Sequence, residues 1–171
     1  MSDKYQRPKY KEIRYKGVDT EIPEGYDYFQ LKMDGMYATL TICDGAWSIV
    51  SRTGVEKASG RWSHKTDHYV LTGEYMKGSH WAKRQGIAED SFYAFDIHVY
   101  NGSYMKKKNS EDSKDYYMRD KYIRRAVEVL QERTNGIVFT ADSFAIKKVS
   151  THQTSDWYST WRELVEDKDY E

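Results

Sequence analysis

Lys32 stands just before a tight turn in the stretch Lys32-Met33-Asp34-Gly35, and a lysine in this setting has two possible roles. A lysine at a strand end is normally a solvated charge, whereas one held in a partly desolvated pocket can lose its proton and become a nucleophile. Ordinary residue frequencies produce the pattern KxDG in roughly one chain in twenty-five of this length. The four residues alone therefore do not decide between the two roles.

A series of short motifs follows this turn. In chain order they are Ser51-Arg52-Thr53-Gly54, Gly73-Glu74-Tyr75, Phe92-Tyr93-Ala94-Phe95-Asp96-Ile97, Asn135-Gly136-Ile137-Val138 and Ala145-Ile146-Lys147-Lys148. They place cationic, acidic and aromatic side chains after a candidate nucleophile. This order of motifs strengthens the catalytic interpretation of the lysine.

The ordered set resembles the signature of the covalent nucleotidyltransferases, which comprise ATP-dependent DNA ligases, RNA ligases and mRNA-capping guanylyltransferases. That signature runs from KxDG through RxG, GE and an aromatic FDI strand to EGxV and a lysine-bearing last strand. The resemblance covers residues 29–150. FYAFDI and AIK look most like RNA ligases that seal nicks in duplexes, whereas the hairpin followed by SRTG is equally similar to DNA ligases, so both substrates stay open.

The resemblance implies that Lys32 captures AMP from ATP as a phosphoramide, which stores the activation needed to join a 5′ phosphate to a 3′ hydroxyl. Arg52 would bridge the ribose and the 5′ phosphate of the nucleic-acid end, since its planar donors suit phosphate oxygens. Phe95 would stack on the purine base. Lys147 would neutralise the α-phosphate as pyrophosphate departs. The alternatives are structural: a core ring for Phe95 and a surface turn for Arg52.

Carboxylates of the set are expected to bind ribose or metal. Glu74 would contact the ribose hydroxyl or help to hold a metal, and Asp96 would add a carboxylate for Mg²⁺ or Mn²⁺, with phosphates completing the coordination. Asp34 and Lys148 complete the expected nucleotide-binding residues. The five histidines are scattered beside the lone Cys43, so the sequence has no zinc-ligand spacing.

Three positions depart from the family signature. Tyr37 stands where the family has Arg or Asn, and Asn135 replaces the EGxV glutamate, which weakens attraction to a divalent cation. The second lysine of the last strand falls on Val149, with Lys148 as the substitute if the strand bulges. The chain also carries no sequence for an OB-fold clamp, so a partner protein is one expected source of it.

The composition is typical of one globular domain in a reducing compartment. The chain has 171 residues, of which 39% are hydrophobic, and a single cysteine, which excludes an internal disulfide. It has no apolar run of 18 residues and no secretory signal, so we expect no membrane association and a cytoplasmic location. The net charge of zero argues against a dedicated nucleic-acid binder. Residues 1–16 are nevertheless basic, and they either follow a phosphate backbone or form a solvated terminus.

Local patterns predict an α+β fold. The predicted strands are 38–43 and 47–51 joined across Asp44-Gly45, 68–71 and 91–100, and a final hairpin of 137–140 and 144–149. The predicted helices are a short one at 157–165 and an amphipathic one at 116–132, whose apolar face carries Tyr116, Ile123, Val127 and Leu130. The resemblance implies an ATP-grasp-like nucleotidyltransferase fold of antiparallel sheets with flanking helices and no OB-fold domain. We expect a basic arm at 1–16, the nucleotidyltransferase domain at 17–156, and a short helix with an acidic tail of that domain at 157–171.

Three functions follow from these residues. The first is a minimal ATP-dependent polynucleotide ligase for DNA or RNA ends, with a nicked duplex as the expected substrate and ATP and Mg²⁺ as cofactors. The second is an RNA-capping guanylyltransferase, which would take GTP instead. The third is a catalytically decayed nucleotidyltransferase fold that binds nucleotide, nucleic acid or a protein partner, and the three departures favour it.

Overall fold

The computed structural model describes residues 20–84, 91–105, 113–133 and 145–165. Its elements are β1 (Tyr28–Gln30), β2 (Met36–Cys43), β3 (Ala46–Ser51), β4 (Glu56–Arg61), β5 (Tyr69–Tyr75), α1 (His80–Arg84), β6 (Ser91–Tyr100), β7 (Ser103–Tyr104), α2 (Ser113–Arg133), β8 (Ala145–Lys148), β9 (Thr151–Gln153), a 3₁₀ turn (Thr154–Asp156) and α3 (Trp157–Val165). This mixture of strands and helices confirms the α+β class. The basic arm and the acidic tail lie outside the described residues, and the division at 16 and 156 stays a prediction.

Seven of the described strands form one sheet in the order β4-β3-β2-β5-β6-β7, with β8 also beside β6. Neighbours along this path are antiparallel, while β8 runs parallel to β6. Strands β1 and β9 pair with each other, so that Gln30 lies opposite Thr151. This pair brings the segment that precedes Lys32 next to the segment that follows Lys148.

The β2–β3 hairpin is formed by two alternating runs and a turn suited to their twist. Asp44 and Gly45 both have positive φ, 52° and 76°, which is the backbone geometry of a two-residue hairpin turn of type I′. The alternation buries Leu40 and Ile42 on one face of β2 and leaves the residues between them half-exposed. The hairpin predicted across Asp44-Gly45 is therefore confirmed.

Helix α2 covers one face of the sheet and forms the core with it. Its inward side chains recur at helical spacing, and Ile123, Val127 and Leu130 are buried as predicted. They belong to one hydrophobic cluster with residues from β2, β5 and β6. Burial of each such side chain stabilises the fold by about 1.5–3 kcal/mol, so this face holds the sheet in place. The helix predicted at 157–165 is also confirmed, as α3.

Two predicted strands differ from the observed ones. The strand expected to end at residue 71 continues to Tyr75, because Gly73 has no side chain to collide with the Tyr93 backbone on β6. The final strand is β8, and it pairs in parallel with β6. Residues 137–140, predicted to complete a hairpin with it, lie outside the described residues. Among the described helices, none combines the length and the apolar character that a bilayer crossing requires.

Candidate active site

The connection from β1 to β2 carries Lys32 and bends at Gly35, and this bend, called the KxDG turn below, is fixed against the end of β5. A Cβ atom on Gly35 would lie 2.7 Å from Met76 Sδ and 2.8 Å from the Tyr75 carbonyl oxygen, closer than real Cβ contacts allow. The Ser79 hydroxyl donates a hydrogen bond to the Asp34 carbonyl oxygen. Glycine is therefore needed for close approach at this point. The Lys32 and Asp34 side chains are exposed, so the free chain does not hold Lys32 in the partly desolvated pocket that its nucleophilic role was expected to require.

Glu74 lies on β5 next to this turn, and its carboxyl group titrates near neutral pH. Loss of hydration on burial raises its pKa from 4.5 to about 7. The backbone N–H of Gly35 donates a hydrogen bond to the carboxylate and lowers the pKa. Positive charge on Lys32 and Arg52 also lowers the pKa, whereas negative charge on Asp34 raises it. The KxDG turn, the GE glutamate and the RxG arginine therefore lie within electrostatic reach of one another.

Two aromatic rings and one guanidinium form a connected surface beside this group. The Tyr37 and Phe95 ring centroids are 6.0 Å apart, with the ring planes tilted by 45°. The Arg52 guanidinium carbon lies 5.1 Å from the Tyr37 ring centroid, in cation–π geometry. Tyr37, which departs from the family signature, thus joins the arginine of one motif to the phenylalanine of another.

Strand register extends this surface across four strands. Tyr37 on β2 lies opposite Glu74 on β5, Glu74 lies opposite Tyr93 on β6, and Tyr93 lies beside Lys147 on β8. Because directly paired residues project from the same face of a sheet, these four side chains form one row. Lys147 is exposed at the end of the row.

Two predicted site residues do not join this surface. Asp96 is fully buried, and its Oδ1 accepts hydrogen bonds from Arg119 Nε at 3.0 Å and from the Ile97 N–H at 2.8 Å. The carboxylate is therefore held by helix α2, away from solvent. Lys148 Nζ lies 2.7 Å from Asp120 Oδ1, also on α2, so this lysine forms an ion pair with the helix.

The other two departures, Val149 and Asn135, and the candidate metal ligands remain to be located in the structure. Val149 is buried, and its N–H donates to the Ala94 carbonyl oxygen, so it serves the fold. Asn135 lies outside the described residues. Within the part of the chain that the structure describes, no group of three or more His, Cys, Asp or Glu residues could hold a metal ion. The carboxylates near the turn are Asp34 and Glu74, so a divalent cation there would need nucleotide phosphates to complete its coordination.

Sequence reasoning missed the residues that position Phe95. The Tyr116 hydroxyl on α2 donates to the Phe95 carbonyl oxygen at 2.7 Å, and Gln30 Nε2 donates to that hydroxyl at 2.6 Å. Burial, with the nearby Asp96 and Asp120 carboxylates, raises the Tyr116 pKa, so the phenol stays protonated. The one signal for Tyr116 in the sequence is its position on the apolar face of the predicted helix, and that position indicates a core residue and not one that contacts Phe95.

A cavity of about 380 Å³ opens elsewhere on the sheet and is lined in part by Thr41, Cys43 and Trp47. Thr41 is four residues along β2 from Tyr37, a distance of about 13 Å at the usual rise of a strand. The cavity is therefore separate from the row of site residues.

No protein-family model matches the chain, and no curated protein matches it. Among solved structures, the chain is similar to mycobacterial DNA ligase D complexed with ATP and MES, with a TM-score of 0.43 and 16% sequence identity. The match covers 80% of this chain and 44% of that one, so the chain spans less than half the length of the ligase structure.

Proposed function

We propose that this chain is a covalent nucleotidyltransferase of the ligase type. Lys32 Nζ attacks the α-phosphorus of ATP, a nitrogen–phosphorus bond forms, and the bond to the β-phosphate oxygen breaks to release pyrophosphate. A nucleic-acid 5′ phosphate then takes the AMP from the lysine, and a 3′ hydroxyl attacks that phosphate and releases AMP. The observation that carries the proposal is the meeting of residues from four separate motifs, namely Lys32, Arg52, Glu74 and Phe95, around one turn and one sheet face.

The charges around Lys32 support this chemistry. The attacking amine must be neutral and gives up a further proton when it becomes a phosphoramide. Glu74 has a pKa of about 7 and lies within electrostatic range of Lys32, so its carboxylate is suited to accept that proton. Lys32 is exposed, so the bound triphosphate must supply the desolvation that the free protein lacks.

The remaining residues have roles that match their positions. The Tyr37 and Phe95 rings offer flat apolar surface to a purine. Arg52 presents its donors to a phosphate at the edge of that surface. Lys147 would meet the negative charge that develops as pyrophosphate leaves. Mg²⁺ or Mn²⁺, held by nucleotide phosphates with the Asp34 carboxylate, would neutralise negative charge on the triphosphate.

Intact-mass measurement after incubation with ATP and MgCl₂ tests the proposal. We expect a mass increase of one AMP, which peptide mapping assigns to Lys32. Lys32→Ala should abolish the adduct, while Lys57→Ala, at an exposed lysine on β4, should retain it. An adduct that persists in Lys32→Ala would exclude Lys32 as the nucleophile.

The same measurement separates the alternatives. Labelling by GTP and not by ATP would indicate an RNA-capping guanylyltransferase. The pairing of Asp96 with Arg119 favours a second candidate, a nucleotide-binding protein without catalysis, because it withdraws one expected metal carboxylate. That candidate predicts saturable nucleotide binding with no adduct at any Mg²⁺ or Mn²⁺ concentration. For the ligase, a nicked DNA or RNA duplex is the proposed substrate, with an OB-fold partner as the proposed clamp.

A further inference from the structure

The first half of the connection between β5 and β6 carries a concentration of positive charge, while Glu89 and Asp90 stand at its other end in the sequence, next to β6. Its sequence from 77 to 84 reads KGSHWAKR, with no acidic residue. The side chains of Lys77, His80, Lys83 and Arg84 are all exposed. Because the whole chain has a net charge of zero, this is a local excess and not part of a general positive field.

The cationic segment 77–84 is attached directly to the turn that carries Lys32. Ser79 contributes its hydroxyl hydrogen bond to the Asp34 carbonyl, and Met76 Sδ lies against Gly35. The Ser79 N–H donates to the carbonyl of Met76, just before the segment, at 3.1 Å, and the Lys83 N–H donates to the Ser79 carbonyl at 3.2 Å. Its cations are therefore presented by an ordered backbone beside the candidate nucleophile.

We infer that segment 77–84 binds the phosphate backbone of a nucleic-acid duplex, next to the end that Lys32 would activate. The inference rests on the proposed function for its substrate. Helix α1 has five residues and a length of about 8 Å, which matches two to three phosphates along one strand. Such contacts to phosphate position a duplex without reading its sequence, as sealing of arbitrary ends requires.

Charge reversal tests the inference. The variant Lys77→Glu/Lys83→Glu is compared with Arg124→Glu/Arg125→Glu, which reverses two exposed charges on α2, the helix that covers the opposite face of the sheet. The probe is a fluorescent nicked duplex with a 5′ phosphate at the nick, without ATP, over a series of salt concentrations. We expect the segment variant to bind about tenfold more weakly and to lose about two from its salt slope, and the control to retain both values. The milder Lys77→Ala/Lys83→Ala should show the same change in slope if the reversal impairs folding.

The outcomes separate this inference from the proposed function. Equal affinity and slope in the segment variant, or no duplex binding by the unmodified chain, would overturn the inference. Reduced AMP transfer from ATP with unchanged duplex binding would also overturn it, because the cations would then serve the triphosphate. If the unmodified chain forms no lysyl adduct but its duplex binding depends on the segment, the inference stands and the proposed function fails.

Discussion

Glu74 provides a test of the site that does not need a substrate. Its carboxyl group has a pKa of about 7 in the folded chain and 4.5 as its ordinary value. Between these pH values the folded state binds the proton more tightly than the unfolded state does. By linkage, the stability contributed by this proton is complete below about pH 4.5 and is lost as pH rises through about 7. We therefore expect Glu74 to destabilise the fold progressively between pH 5 and pH 8.

The size of the effect follows from the environment of the carboxylate. One pKa unit corresponds to about 1.36 kcal/mol, so the full shift sets an upper bound of about 3 kcal/mol. The side chain is only half-buried, and solvent screens its interactions. We therefore expect the free energy of unfolding to fall by about 1–2 kcal/mol as Glu74 ionises, which is less than the upper bound.

Urea denaturation at pH 5, 6, 7 and 8 measures this change. Glu74→Gln removes the titration while it keeps the shape of the side chain, so the stability difference between the unmodified chain and this variant isolates the carboxyl group. Between pH 5 and pH 8, the unmodified chain should lose about 1–2 kcal/mol of unfolding free energy relative to the Glu74→Gln variant. Glu128→Gln, at an exposed glutamate on α2, should show no such trend. A flat difference for Glu74→Gln would refute the proposed burial of this group beside the turn.

Three further experiments with substituted chains test the packing around the site. Gly35→Ala should lower the urea midpoint by an amount equivalent to about 1–3 kcal/mol, because the added Cβ would lie 2.8 Å from a backbone carbonyl oxygen; an unchanged midpoint would mean that the turn yields. Asp96→Asn should lower the free energy of unfolding by about 3–5 kcal/mol, because it leaves the Arg119 charge buried without its partner. Adding Arg119→Met to that variant should restore part of the lost stability; if it restores none, the ion pair is not the cause. A double-mutant cycle of Tyr37→Leu with Arg52→Ala should give a coupling energy of about 0.5–1 kcal/mol in urea unfolding, and a coupling of zero would exclude the cation–π contact.

Local signals predicted the parts of the fold that local physics determines. The Asp44-Gly45 turn and the alternation on either side of it specify the β2–β3 hairpin without reference to the rest of the chain. Helix α2 follows from the apolar spacing of Ile123, Val127 and Leu130. In both cases the period of the pattern and the neighbouring turn residues contain the information that is needed.

Long-range register was not available from the sequence. Pairing of β5 with β6 shifts between Thr72 and Gly73, so that Asp96 lies opposite Thr72 and Ala94 lies opposite Gly73. Alternation alone cannot place Asp96 across such an irregularity, whereas the structure shows its buried carboxylate paired with Arg119. Strand β4 was missed for a related reason: its sequence EKASGR is polar, and backbone pairing with β3 holds it at the edge of the sheet.

The positions of Tyr37 and Asp96 determine which groups the proposed site can offer to a nucleotide and to a metal ion. Tyr37 replaces a charged or amide side chain, yet it keeps Arg52 and Phe95 together through its ring. Asp96, in contrast, is committed to a buried ion pair and leaves Asp34 and Glu74 as the described carboxylates near Lys32. Groups that would contact base and phosphate are thus retained, while groups that would hold a metal are reduced. A site of this kind should bind nucleotide mainly through its cations and rings, and any catalysis should require more Mg²⁺ or Mn²⁺ than a site with a third carboxylate.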